Sequence, residues 1–505
     1  LSRWDWLVIA TIVATVHVLV FEEVFRALHV YPNLGPWRWS FDRNGALYLL
    51  FTGLTVYIYI RSRSTHLSRR NLALFERLIT SLLHARKFEE LGVLMEHHLE
   101  AVFRIANARG ARSRVQSWLR PPAPALPAIR IVDGQLVEAP TPSLPWATAR
   151  FVELREWSAD VVAPSAEPMD RAENIVRATL ASRDFVAYLA MAHPYLCLQV
   201  MERVEALVDD FQDNFFEALL ANEASVFYSE IKNSQNLDGG HRLRIPSENR
   251  LLSFYLKDVT VAGRLGVYRS IGEAVLSRLS SDAKLVEQLN GPMRSYREVE
   301  AYRCPIYCGI YFFRVMVLEG LYQKVNDHLW LHYVTHFADR ILSATRAMKP
   351  EDENDEFASR FSYLLCELVD VTADWIEEAA QVTGAADHVE AEQTEGQHAY
   401  ISFQASEALG AVTQSVLRSD KLTERLKDEL LEVVLFSLRR IEKVSQLVPL
   451  ARAVAMGLVQ PHGFPAREGY FEDLAERYGR QDYHVRSETR MLGDLLEAKG
   501  SVAGH

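Results

Sequence analysis

Cys304 and Cys308 stand four residues apart, and His328, His332 and His336 repeat that spacing further along the chain. Side chains four apart leave a helix on the same side, and thiolate and imidazole are ligands that Zn2+ favours, so these five residues are the best candidates for a metal centre. Helical geometry limits them. If Ile306 to Met348 is one unbroken helix, its rise of ~1.5 Å per residue holds Cys308 and His328 about 30 Å apart, and only a hairpin near Gly320 unites the two sets. The three histidines also drift around the axis by ~80° over eight residues. The expectation is therefore cysteines buried as small apolar side chains and histidines on a polar face, with Zn2+ and a membrane-tethered metal-dependent hydrolase as the alternative.

Asp209, Asp210, Asp213 and Glu217 form a second acidic constellation, but no histidines or second acidic helix of defined spacing accompany them, which is the pattern of a solvated helix face. The loop from Asn236 to Arg244 carries Gly239 and Gly240 before His241 without the flanking strand and helix that a phosphate cradle needs. No Walker sequence, nucleophile elbow, HExxH or dinucleotide fingerprint occurs. The chain reads as an interaction protein before it reads as an enzyme.

The elements that would position such groups begin with two uncharged apolar runs, Leu7 to Phe21 and Asn44 to Ile60. Each nearly reaches the ~20 helical residues that cross a bilayer core, and aromatic residues suited to the headgroup region flank them: Trp4, Trp6, Trp37, Trp39, Tyr57 and Tyr59. Phe21, Glu22 and Glu23 follow the first run where small residues would mark a cleavage site, so an anchor is expected in place of a signal peptide. Ala10 with Ala14, and Thr11 with Thr15, have the spacing that lets helices approach closely. His17 is the one ionisable side chain within the runs, and its ordinary reading is a neutral, hydrogen-bonded imidazole.

Charge is distributed unevenly behind these runs. Residues 61–120 carry +7 and residues 1–60 carry none, which leaves −18 for the rest of a chain whose net charge is −11. Arg61, Arg63, Arg69 and Arg70 form a basic collar beside the second run, suited to anionic lipid and to the cytoplasmic side. A two-pass cell-membrane protein with residues 61–505 cytoplasmic is expected. The acidic body disfavours nucleic acid as a partner. Four cysteines in 505 residues give no disulfide framework, consistent with a reducing compartment.

Beyond the collar the pattern is helical. The expected organisation is a two-helix transmembrane anchor over 1–65, a basic juxtamembrane stalk over 66–120, a Pro-rich connector over 121–147, and helical domains over 148–349 and 350–505. The connector holds seven prolines and an alternating stretch, Ile129 to Glu138, around Asp133 and Gly134, which predicts the one small β-hairpin. Long helical patterns cover Asp170 to Ala192, Leu196 to Ala221, Val267 to Leu289, Ile306 to Met348, Glu356 to Gln381, His398 to Leu417 and Leu422 to Val459. Their pairing is compatible with a degenerate helical solenoid. Leu422, Leu426, Leu430, Val434, Leu438, Ile441, Val444 and Val448 make one stripe, to be covered by the core or by coiled-coil self-association. Tyr302 to Gly320 is apolar on nearly all sides except at Arg314, which predicts a central buried helix with Arg314 paired to an acid.

The class is thus mainly α, with a large all-helical body. Three functions fit: a membrane-anchored scaffold, sensor or effector acting through a protein partner or self-association; a pore-forming or membrane-perturbing effector; and the hydrolase above. The first has the most behind it.

Overall fold

The computed structural model describes residues 71–119, 129–132, 135–138, 167–203, 208–234, 237–238, 242–243, 245–325, 331–349, 356–378, 382, 401–460 and 469–503, with isolated positions between 9 and 67. The protein is mainly helical. It divides into two compact units, one of residues 1–76 and 97–172, the other of residues 77–96 and 173–505.

In the first unit, helix α1 (Leu72–His84) begins and α2 (Phe88–Leu119) ends. The Phe75 and His98 rings meet edge-on at 5.3 Å, and Arg171 joins Glu76 at 2.8 Å. Strands β1 (Ile129–Val132) and β2 (Gln135–Glu138) pair antiparallel, Val132 opposite Gln135.

The second unit holds the rest of α1 and the start of α2, takes in α3 (Glu167–Leu180) from Glu173 onward, and continues with α4 (Arg183–Ala192), α5 (Pro194–Arg203), α6 (Val208–Ala221) and α7 (Val226–Asn233). Two expected long helices are therefore four shorter ones. A second two-stranded hairpin, unanticipated, lies within the Asn236–Arg244 loop: β3 (Leu237–Asp238) pairs with β4 (Arg242–Leu243). Next come α8 (Arg250–Leu256), α9 (Val259–Leu265), α10 (Val267–Ser281) and α11 (Ala283–Leu289). Their ends are set by local chemistry. Glu230 accepts from the amides of Leu251 and Leu252 at the start of α8, Asp258 caps α9, and Gly266, at φ 62°, turns α9 into α10.

Helix α12 (Pro305–Tyr322) is the hub of this unit, and every residue in it except Arg314 and Tyr322 is buried. Cys304 precedes it with extended backbone and Pro305 occupies its first turn, where no amide partner is lost. The expected continuous helix to Met348 does not form. Lys324 adopts φ 57°, the Val325 amide donates back to the Gly320 carbonyl at 3.0 Å, and the chain restarts as α13 (His332–Ala344), whose Phe337 packs edge-on to Phe313 at 5.4 Å.

Helices α12 and α13 pack on α14 (Arg360–Glu378) and α15 (Ile401–Leu417) within this same unit. Then follow α16 (Glu424–Glu442), α17 (Val448–Val459), α18 (Tyr470–Arg480), α19 (Tyr483–Glu488) and α20 (Arg490–Ala503). The long stripe is buried from Leu422 to Ile441 by this chain's own helices, chiefly α14 and α17, so no second copy is needed to cover it. It stops there: α16 ends at Glu442, Pro449 opens α17, and Val448 is exposed. Helices α15 and α17 come into backbone contact at Gly410 and Gly457, where a Cβ on Gly410 would lie 2.2 Å from the Gly457 carbonyl oxygen.

Candidate functional site

Among the described residues, the cysteine pair and His336 lie in different surroundings. Cys304 and Cys308 are buried in the hub, where the Cys308 thiol faces the Ala301 carbonyl at 3.9 Å and burial pushes both thiols above their ordinary range. His336 instead lies exposed on α13, its ring against Tyr333. Phe337, one residue from His336, meets Phe313, five residues and so about 7 Å along α12 from Cys308 at ~1.5 Å per residue, while His336 itself is exposed and the cysteines are buried. His328 and the His332 side chain lie outside the described residues. Among the described residues no group of three or more His, Cys, Asp or Glu is arranged to hold a metal ion.

The acidic face of α6 is engaged in contacts between helices. Asp213 accepts from the Ser270 hydroxyl at 2.5 Å and faces Arg269 at 3.4 Å, and Glu217 pairs with Arg183. Asp210 is exposed. These are packing contacts between α6, α10 and α4.

Arg314 finds the acid that its central position demands. Its Nη2 lies 2.8 Å from Asp374 Oδ2 on α14, and the Trp375 indole donates to the Arg314 carbonyl at 3.3 Å. Glu367, Asp370 and Asp374 rise along α14 as a ledge beside the Tyr302, Tyr307 and Tyr363 rings. Desolvation pushes all three carboxyls above their ordinary range, Asp374 up to about 6, with Arg314 pulling the other way. The ledge holds more acid than cation: Arg314 acts on all three carboxyls and Arg297 on Glu367 and Asp370, and burial still outweighs both.

A cleft of about 410 Å³ lies between α16, α18 and the start of α19. Asp428, Glu432, Leu435 and Phe436 line it from α16, and Arg477, Arg480, Asp482 and Val485 from the other wall. Its wall is fixed by Arg477, only 3% exposed, which gathers Asp428 at 2.5 Å, Asp473 at 3.0 Å and Glu424. Buried guanidinium with several hydrogen-bonded carboxylates is a rigid arrangement. Nothing in the sequence pattern marks this cleft: its walls are nearly forty or more positions apart, and α18 shows only an ordinary amphipathic pattern. The one local signal was exposed aromatic side chains, Phe436 on α16 and Tyr483 beside Asp482.

At the other end of the chain, Ile9, Ala10, Ile12, Val13, Val16, His17, Val20, Val24 and Ala27 are helical. Ala10, Val13, His17, Val20, Phe21, Val24 and Ala27 are exposed, whereas Ile9, Ile12 and Val16 are half-buried. In the second run, Tyr48, Phe51 and Val56 are exposed as well. The His17 Nδ1 bonds the Val13 carbonyl at 3.0 Å, and the Thr55 hydroxyl donates to the Phe51 carbonyl at 2.8 Å. Trp4, Trp6, Trp37, Trp39, Tyr57, Tyr59 and the collar residues Arg61, Arg63, Arg69 and Arg70 lie outside the described residues. Among the described residues no helix is long and apolar enough to cross a membrane.

No family model, no curated protein and no solved structure matches the chain, so what it does must be argued from these features alone.

Proposed function

We propose that the protein is a membrane-anchored helical scaffold, held in lipid by its N-terminal segment and presenting the helical body on the cytoplasmic side to a protein partner. The observation that carries this reading is the outward face at Ala10, Val13, His17, Val20, Phe21, Val24 and Ala27, apolar at every one of these positions but His17. Soluble monomers avoid extended apolar faces in water; in lipid such a face is in its preferred solvent. Two of the polar side chains described in these segments support it, since His17 and Thr55 each bond a carbonyl four residues back on the same run, as suits polar groups in hydrocarbon. The +7 collar of residues 61–120 then rests against anionic headgroups while the acidic body stays in solution. A scaffold also suits a body whose ionisable clusters are spent on joining helices.

Alkaline carbonate extraction of membranes carrying the full chain tests the anchor. The chain is expected in the pellet, and release to the supernatant would overturn the proposal. Protease added to intact cells should leave the body uncut; cleavage within residues 173–505 from outside would reverse the orientation.

A further inference from the structure

We infer that the cleft between α16 and α18 docks a segment of a partner protein in which arginine or lysine alternates with apolar residues. Each cleft cation already has an acid: Arg477 holds Glu424, Asp428 and Asp473, Arg480 holds Glu476 at 2.5 Å, and Arg439 holds Glu488. Two lining carboxylates, Glu432 and Asp482, have no ion-pair partner among the described residues, and both are exposed. The unspent charge of the cleft is therefore negative. A cationic occupant gains from it, and an anionic one is repelled.

The apolar part of the lining fixes the rest of the partner's chemistry. Leu435 and Val485 form the floor, and Phe436 is 54% exposed although its neighbours Leu435 and Ser437 are buried. The Phe436 ring stays half exposed although Arg440 already stands over it at 5.7 Å, and it follows Glu432 by one helical turn, so an incoming guanidinium or ammonium can pair with that acid while its aliphatic neighbour lies against Phe436 and Val485. The volume, at the lower end of the ~300–1,000 Å³ typical of ligand sites, accepts one or two long side chains and not a globular surface. Rigidity is built in by Arg477, so docking requires no rearrangement of the wall.

The inference rests on the scaffold reading for its purpose and not on the anchor, so the two can fail separately. The test uses the detergent-solubilised full chain and a fluorescein-labelled twelve-residue peptide alternating arginine and leucine, with a glutamate–leucine peptide of the same length beside it, read by fluorescence anisotropy. The arginine peptide is expected to bind and the glutamate peptide not to. The pair Glu432→Lys with Asp482→Lys should weaken the arginine peptide about tenfold, the scale seen when charges facing a charged ligand are reversed. Phe436→Ala should weaken it by a similar factor, as loss of an aromatic anchor does. Two copies of the Glu432→Lys change in net charge placed elsewhere, Glu100→Lys with Glu248→Lys, should leave binding within about twofold of the parent if only ~10 Å screening-length fields are felt. The inference is overturned if the arginine peptide does not bind, if the glutamate peptide binds better, or if the remote pair weakens binding as much as the cleft pair. Binding lost alike by the two charge-reversed pairs and kept by Phe436→Ala would mean that the peptide reads net charge alone, which also overturns the inference. A negative result here leaves carbonate extraction unaffected.

Discussion

Replacing Gly410 with alanine tests the contact on which the C-terminal part of the body is built. The added methyl would lie 2.2 Å from the Gly457 carbonyl oxygen and 2.5 Å from its carbonyl carbon, both backbone atoms that cannot rotate away. An ordinary contact begins at 3.4 Å, so α15 and α17 must part by roughly 1 Å, opening the packing of Leu409 and Val412 against Val454 and Leu458, all of them buried. Overpacking of this kind costs ~1–3 kcal/mol, and a backbone obstacle belongs at the upper end. Alanine returns ~1 kcal/mol through its higher helix propensity, which leaves a net loss of about 2 kcal/mol. Two companions calibrate the number. Gly457→Ala meets the Ser406 carbonyl at 3.1 Å, a milder conflict, and should cost less. Gly479→Ala on α18 meets nothing within 4 Å and should stabilise by up to ~1 kcal/mol. Urea unfolding followed by circular dichroism at fixed temperature gives the order Gly479→Ala above parent, above Gly457→Ala, above Gly410→Ala. If Gly410→Ala were as stable as the parent, or if Gly457→Ala were the weaker of the two, the close crossing of these helices would be refuted.

Asp374 gives a pH dependence with a definite sign. Its carboxyl is pushed up to about 6 in the fold, above its unfolded value of ~3.9, so the native state holds an extra proton between these two values and its stability falls as pH rises through that window, levelling off above it. At ~1.4 kcal/mol per unit the full effect would be ~3 kcal/mol, which screening at a side chain 34% exposed reduces to about 1–2 kcal/mol. Asp374→Asn should remove that slope between pH 4 and 7 in urea midpoints, while Glu367 and Asp370 keep theirs; an unchanged slope would count against the ledge. The thiols should react in a fixed order: Cys366 is half-buried with its thiol pushed up to about 12, whereas Cys197, Cys304 and Cys308 are buried. Native protein treated with Ellman's reagent should label Cys366 first and slowly, and the other three only on unfolding, which mass spectrometry of the labelled peptides would show.

Much of the body was legible because helical periodicity is a local signal. The stripe from Leu422 to Ile441 is buried as its spacing required, and an apolar run interrupted by Arg314 became a hub helix with Asp374 as counter-charge. Breaks in that pattern were harder. The turn at Lys324 uses a left-handed residue that is neither glycine nor asparagine, and the division at Ser182 has no proline, so nothing in their composition announced them. Pro449 did announce the start of α17 and was overridden by the stripe that runs across it. The hairpin at Leu237–Asp238 and Arg242–Leu243 is too short for an alternating pattern to register. The candidate site was the least legible part. Cys304, Cys308 and His336 fit one spacing pattern but not one environment, and environment is decided by which neighbours the fold brings in; the cleft, conversely, joins residues whose only link is tertiary packing.

Helix α12 also bears on how the chain meets lipid before the body has formed. Emerging from the ribosome, its eighteen residues are apolar on nearly every side, and machinery that sorts nascent segments by oiliness has the guanidinium at the middle, with Glu319 nearer the end, to set against insertion. Once α14 is made, that same group is claimed by Asp374. One side chain thus serves in succession as a refusal to the bilayer and as a latch on the finished core, and the order of synthesis, α12 well ahead of α14, gives the refusal its turn first.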